Sequence, residues 1–265
     1  MVEGMVCSML GLSKNSSKEN ENQERLTSEE WGEIYNPESV KLIAEGLKRG
    51  ELNFQSKEML KLSCEKEKVL EIGCGTGGTS CCLALNGRIV TALDYSKNAL
   101  LCAEGVAKEM GVSLNTVFAD AMKELPFAEN EFDVAFQAGL LEHFEQEDRI
   151  NLLKNWERNV RLGGRMVSII PNAASIAYRT GKAMMEQKGT WRYGLELPQY
   201  SLQGEFASAG FCVLKEYTIG AEHALNFLPE KFWLRKAMTR WLKENPTGDD
   251  CGQGYLLVTV GEKKY

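Results

Sequence analysis

The stretch Lys68-Val69-Leu70-Glu71-Ile72-Gly73-Cys74-Gly75-Thr76-Gly77-Gly78 decides the fold. Lys68 to Ile72 is a short apolar run of strand length. The glycine-rich turn Gly73 to Gly78 leads into a helix over Thr79 to Leu85, which Asn86-Gly87 closes. Glycines at alternate positions allow a tight turn with no Cβ in the way, so a ligand could lie against bare backbone at a helix start.

The same unit repeats downstream. Arg88 to Leu93 reads as a second strand, and Ser96 caps a helix whose apolar stripe is Ala99, Ala103, Val106, Ala107 and Met110, ending at Gly111. Leu114 to Phe118 and Phe132 to Gln137 are the third and fourth strands. A helix then runs to about Val160, Gly163-Gly164 makes a turn, and Arg165 to Ile170 is the fifth strand. Such alternation predicts an α/β fold with a parallel sheet wrapped by helices. The last third departs from it. An insert from Pro171 to Gln199 precedes a helix near Leu202 to Ser208 and a strand from Phe211 to Tyr217. A second insert, from about Gly220 to Gly252, carries a helix starting at Pro229 with Trp233, Ala237 and Trp241 on one face, and Tyr255 to Val260 is the final strand.

Upstream, Ser13 to Glu24 is polar and charged with nothing apolar to bury, which predicts a disordered leader over residues 1–26. Asn36 and Pro37 read as N-cap and first turn of a helix carrying Val40, Ile43, Ala44 and Leu47, with Gly50 as its stop. Residues 27–265 read as a single domain. Its cap elements come from about 27–50, 171–199 and 220–252.

Composition narrows the functional classes. A chain of 265 residues, 43% hydrophobic and 26% charged, suits one globular domain that folds without metal or disulfide. A net charge of -6 without a dense Lys/Arg block leaves no footprint for nucleic acid. The eight cysteines form no C-x-x-C pair, so they read as reduced thiols of a cytoplasmic protein, with no metal site. No apolar run approaches the roughly 18 residues of a membrane span. The expected partner is a small molecule.

In an open parallel sheet, ligands bind at the carboxyl ends of the strands, so the turn after the first strand is the candidate site. Gly73, Gly75 and Gly78, with Asp94 about 20 residues on, also match the dinucleotide fingerprint G-x-G-x-x-G. Glu71 tips the choice. A carboxylate there would repel a pyrophosphate, whereas S-adenosylmethionine brings an ammonium and a sulfonium. An NAD-dependent oxidoreductase and a non-catalytic cofactor-binding protein stay open as alternatives.

The segment Val69 to Gly77 resembles the first motif of class I S-adenosylmethionine-dependent methyltransferases, particularly the small-molecule group (methyltransferase type 11) that includes quinone-biosynthesis enzymes. Further matches follow in order over Lys68 to Pro171: Leu93-Asp94-Tyr95-Ser96, Phe118-Ala119-Asp120-Ala121, Leu125-Pro126-Phe127, Phe132-Asp133-Val134, Leu140-Leu141-Glu142-His143 and Leu162-Gly163-Gly164. The resemblance implies a Rossmann-like, doubly wound, seven-stranded sheet in the order 3-2-1-4-5-7-6, its last strand antiparallel at the sheet edge. It implies S-adenosyl-L-methionine as cofactor, S-adenosyl-L-homocysteine as product, and methyl transfer to a small organic acceptor, O-methylation favoured. By the same resemblance Asp94 binds the ribose hydroxyls, Asp120 and the Ala121 N–H meet the adenine, and Gln137 faces the methionine part. Glu71, Gly73, Cys74, Gly75, Gly77 and Tyr95 complete the expected cofactor set.

In-line transfer from a sulfonium mainly needs alignment, yet an oxygen or nitrogen acceptor can need a base. His143 follows the fourth strand at the end of the sheet where the methyl group would sit; it reads equally as a base or as a packed histidine. Gly139 stands where some O-methyltransferases place the first Glu of a metal-binding Glu-x-x-Glu-His, which argues against a metal. For the acceptor, Trp31, Tyr35, Asn172, Tyr178, Trp191, Tyr193 and Glu196 offer aromatic faces with a few polar groups; the other reading is that about half of these aromatics fill the cap's own core.

Overall fold

The computed structural model describes residues 25–35, 38–245 and 252–264. The expected leader up to residue 24 and the Asn36-Pro37 cap lie outside the described residues. The elements run α1 (Ser28–Ile34), α2 (Glu38–Lys48), α3 (Phe54–Leu62), β1 (Lys68–Ile72), α4 (Gly78–Leu85), β2 (Ile89–Asp94), α5 (Lys97–Met110), β3 (Asn115–Phe118) and β4 (Phe132–Ala138). A 3-10 turn (Leu141–His143) follows, then α6 (Gln146–Glu157), β5 (Val160–Pro171), α7 (Ile176–Gln187), α8 (Gln203–Ser208), β6 (Phe211–Ile219) and α9 (Ala221–Ala224). A second 3-10 turn (Leu225–Phe227), α10 (Trp233–Glu244) and β7 (Leu256–Lys263) end the chain.

The seven strands lie in the order 3-2-1-4-5-7-6, as expected. β1 sits between β2 and β4, parallel to both, and is apolar because it is buried on both faces. Leu70 and Ile72 enter one core with Trp156, Leu153 and Phe206; Val69 enters the other with Met59, Leu83 and Phe136. β7 is antiparallel to its neighbours but lies between β5 and β6, so β6 is the edge strand rather than β7. The sequence pattern agrees, since Leu257 faces one core and Leu256, Val258 and Val260 the other, the mark of an interior strand.

Gly163 and Gly164 do not precede β5 as a turn. They lie inside it as an irregularity, where the β4 register jumps from Phe132–Val160 to Val134–Arg165. A Cβ on Gly164 would stand 2.9 Å from the Asp133 carbonyl oxygen, so the strands close together only over a glycine.

Four helices, α1, α3, α7 and the single-turn α9, were not legible from apolar spacing. α1 carries Trp31 and is set by a capping box, with the Thr27 hydroxyl accepting from the Glu30 N–H and the Glu30 carboxylate reaching back to Thr27. α3 is capped by Asn53, whose Oδ1 accepts from the Ser56 N–H at 2.7 Å. α7 supplies the cap's own core, where Ala177 and Tyr178 pack with Ala224, Leu225 and Leu228. Leu234, Met238 and Leu242 of α10 pack against that core, so the expected face of Trp233, Ala237 and Trp241 is not the inward one; Trp233 and Ala237 are exposed.

Candidate functional site

A cavity of about 210 Å³ opens at the carboxyl ends of β1, β2 and β4. Gly73, Leu93, Asp94 and Tyr95 form one wall; Ala119, Asp120, Ala121 and Met122 follow from the loop after β3. Gly139, Leu140, His143 and Phe144 close the far side, and Arg25, Leu26, Trp31 and Tyr35 roof it. The roof is anchored to the β2–α5 junction: the Tyr95 hydroxyl donates to the Leu26 carbonyl at 3.2 Å, and Asn98 Nδ2 to the Gly32 carbonyl at 3.0 Å.

Asp94 organises the first wall. Its Oδ2 accepts from the Gly75 N–H at 2.9 Å and its Oδ1 from the Ser96 N–H at 2.8 Å. Burial raises its pKa, against those backbone bonds. Each carboxylate oxygen accepts more than one hydrogen bond, so the pair keeps capacity towards the cavity. Asp120 accepts from the Met122 N–H at 2.9 Å and stands 3.8 Å from Lys123 Nζ, partly open to solvent. The Tyr95 phenol, desolvated and near Asp94, is pushed up to about 12.

Of the expected cofactor residues, Gly73, Asp94, Tyr95, Asp120 and Ala121 line the cavity and the others do not. Glu71 requires correction. Alternation on β1 turns its side chain to α4, where Ser80 Oγ donates to it, and burial raises its pKa to about 8. A buried, largely protonated carboxyl facing away from the cavity is no negative wall. Cys74 packs with Ala92, Leu100 and Ala103, because the turn points its thiol into the sheet-helix layer. Gly77, at φ +69°, is a packing glycine, since a Cβ there would lie 2.4 Å from Ala103 Cβ. Gly75 gives its N–H to Asp94 and its face to Tyr35, whose hydroxyl would stand 3.2 Å from an added Cβ. The Gln137 side chain does not reach the cavity: Nε2 donates to Ser168 and Oε1 accepts from the Leu140 and Leu141 N–H groups. It therefore shapes the turn that carries Gly139, Leu140 and His143.

The donor set fits an adenosyl group. A buried carboxylate with unused acceptor capacity stands beside an apolar slot of Leu93, Ala119, Met122 and Phe144. A diphosphate fits less well, because the Gly75 N–H is taken by Asp94 and the Gly77 N–H by the Cys74 carbonyl at 2.9 Å. Among the described residues the only arginine or lysine in the lining, Arg25, lies in the roof over the Phe144 ring. The discrimination that the sequence placed on Glu71 thus rests on the occupied amides of the turn.

His143 lies on the 3-10 turn, edge-on to Trp31 with ring centroids 5.5 Å apart; Trp31 stacks on Tyr35 at 5.9 Å. Its Nδ1 is hydrogen-bonded to the Leu195 carbonyl, which only accepts, so the proton of the neutral ring sits on Nδ1. Burial lowers its pKa, while the Leu195 and Gly139 carbonyls favour the charged ring and only partly offset the desolvation. The Leu197 N–H donates to the Glu142 carbonyl at 2.8 Å, so the segment 195–197 clasps the turn at two points. Phe144 is fixed in turn by Arg149, which donates to its carbonyl at 2.7 Å and pairs with Glu205 in the interior at 2.7 Å.

Among the expected acceptor residues, only Trp31 and Tyr35 line this cavity. Asn172 bridges β5 to the Gly252 and Gly254 carbonyls. Tyr178 is buried in the cap core, bonded to Glu196, and Glu196 also pairs with Arg179. Trp191 packs on Lys182 and Tyr193. Tyr193 is exposed and packs edge-on against Trp191. The insert aromatics are therefore chiefly cap filling, the plainer of the two readings.

Sequence reasoning missed Arg25, Leu26, Met122, Leu140 and Phe144 as lining, since nothing in their types marks them. Glu142 was also passed over as a site residue. It is buried with Oε2 unpartnered, its Oε1 would stand 3.5 Å from a Cβ on Gly139, and desolvation raises its pKa strongly. Its place beside His143 in Leu140-Leu141-Glu142-His143 was the available signal. Among the described residues no group of three or more His, Cys, Asp or Glu side chains could hold a metal ion.

Comparisons with known proteins agree with this fold. Residues 69–164 match the family described as "Methyltransferase domain". The chain is 36% identical over 110 residues to a demethylmenaquinone methyltransferase of Bacillus velezensis, covering 40% of this chain and 46% of that one. It is 31% identical over 136 residues to a ubiquinone biosynthesis O-methyltransferase of Rickettsia conorii, covering 51% and 45%. It thus spans under half the length of these curated relatives. A crystal structure from Thermotoga maritima, of a SAM-dependent methyltransferase described as a possible histamine N-methyltransferase, aligns with TM-score 0.59 at 18% identity. The alignment covers 89% of this chain and 99% of that one, and at such identity it speaks to fold alone. Sheet order, ordered motifs and the family match over residues 69–164 converge on a methyltransferase domain of the class I fold, with S-adenosyl-L-methionine as the cofactor that this likeness implies.

Proposed function

We propose that the protein transfers the methyl group of S-adenosyl-L-methionine to a small organic acceptor, oxygen being the favoured atom. The observation that carries this reading is the Asp94 carboxylate, held by the Gly75 and Ser96 N–H groups at the cavity wall. Asp94 takes the ribose hydroxyls, Asp120 the adenine amino group, and Gly73 lets the ligand approach the turn. The cofactor supplies an electrophilic methyl on a good leaving group, so the protein's share of the chemistry is alignment. His143 holds a neutral ring because burial disfavours its charge, and in this reading it takes the acceptor's proton. Once protonated, its ring finds the Leu195 and Gly139 carbonyls already in position. Trp31 and Tyr35 form an apolar wall that suits a flat acceptor and excludes water. The O-methyltransferase name of the Rickettsia relative and the quinone-related names of both relatives support oxygen and a small aromatic acceptor, at modest identity.

Calorimetric titration with S-adenosylhomocysteine and, separately, with NAD tests the proposal. Saturable heat with the thioether and none with NAD is expected. Binding of NAD alone would overturn it.

A further inference from the structure

Helix α10 presents a surface that the proposed chemistry does not use. Leu234, Met238 and Leu242 pack on the cap core, and no residue of the helix is fully buried. Trp233 is left 68% exposed, with Lys236, Ala237, Arg240 and Lys243 also on the solvent side. From Glu230 to Glu244 the chain has five cationic side chains (Lys231, Arg235, Lys236, Arg240, Lys243) against two carboxylates, in a protein of net charge -6. Arg240 is paired with Glu244 at 2.7 Å, and Arg235 turns to the Leu228 carbonyl and to Asn226. Lys231, Lys236 and Lys243 have no acidic partner among the described residues.

A surface helix with an exposed indole, unpaired lysines and a half-buried Phe232 beside them matches the chemistry of interfacial membrane binding. Aromatic rings enter the headgroup boundary while cations meet anionic lipid. An acidic polymer without rings to stack would use the charges and leave the indole in water, and a single-stranded nucleic acid, which could stack on it, is set against the bilayer in the test below. We propose that α10 docks the protein on the surface of an anionic bilayer, with Trp233 in the headgroup region and Lys231, Lys236 and Lys243 on lipid phosphates. No helix among the described residues is long and apolar enough to cross a membrane, so the contact is peripheral. The inference goes beyond methyl transfer and does not rest on the cofactor reading.

Co-sedimentation of the full chain with phosphatidylcholine vesicles, with and without phosphatidylglycerol, at low and high salt, tests it. Binding is expected only with phosphatidylglycerol, and salt is expected to weaken it. The double variant Lys236→Glu/Lys243→Glu should lower the partition coefficient by about tenfold or more. Trp233→Ser should lower it several-fold while leaving the salt dependence unchanged. These side chains face solvent, and circular dichroism checks that each variant is folded. Absent or lipid-independent binding, or a charge-reversed variant that binds like the parent, would overturn the proposal. Binding to heparin or polyuridylate without vesicle binding would overturn it as well.

Discussion

The Asp94 carboxylate and the Gly75 N–H are hydrogen-bonded at 2.9 Å, which ties the end of β2 to the turn after β1. The bond has two effects. It fixes a buried negative charge at the cavity wall, and it removes from the turn an amide that a diphosphate would need. One side chain thereby joins the fold to the choice of cofactor.

Asp94→Asn keeps the shape of the side chain but removes the charge and half of its acceptor capacity. Hydrogen bonds to a charged group contribute about 1.5 to 3 kcal/mol each, so S-adenosylhomocysteine affinity should fall by roughly 100-fold. Calorimetry on the folded variant reads this directly. Unchanged affinity would remove Asp94 from the cofactor site.

His143→Gln should lower kcat by about 100- to 10,000-fold and leave S-adenosylhomocysteine affinity near that of the parent. The working form is the neutral ring, so activity of the parent should be lost as pH falls through a pKa below the ordinary 6.5. The variant should lack that acid limb. A pH–rate profile with the same limb in both proteins would leave His143 as a packed side chain.

Gly77 combines a left-handed φ of +69° with a Cβ position only 2.4 Å from Ala103 Cβ. Backbone strain and overpacking together should make Gly77→Ala less stable by about 2 to 4 kcal/mol in urea denaturation. Adding Ala103→Gly removes the 2.4 Å contact but leaves the residue-103 Cα at 2.7 Å and the backbone strain, so the double variant should recover only part of the loss. Strict additivity would contradict the close approach of α4 and α5.

The sheet was legible because its inner strands are buried on both faces and its turns are marked by Gly, Asn and Ser, signals that act over a few residues. β1 came out with its bounds unchanged, and α5 with its Ser96 cap and Gly111 end. The site was legible only in part. Spacing places a residue at a strand end but not the direction of its side chain, and Asp94 and Glu71 both stand near such ends with opposite outcomes. The roof was harder still. Leu26 and Tyr35 reach the cavity through contacts with Tyr95 and Gly75, and Arg25 through the Phe144 ring, all far along the chain, and no local pattern encodes those.

Glu71 offers a test that reads its burial. Its pKa is raised from the ordinary 4.5 to about 8, with desolvation the largest cause and the Ser80 bonds opposing it. A carboxyl whose folded pKa lies above its unfolded value leaves the fold most stable below about 4.5, and that contribution is lost as pH rises towards 8. The full swing is on the order of 5 kcal/mol. Glu71→Gln keeps an acceptor for Ser80 and cannot ionise, so it should match the parent in acid and exceed it increasingly as pH rises through this window. Chemical denaturation of both proteins across the range gives the difference, in which every other titrating group cancels. A difference independent of pH would mean that Glu71 ionises freely, and would return the charge at the end of β1 to the account of cofactor choice.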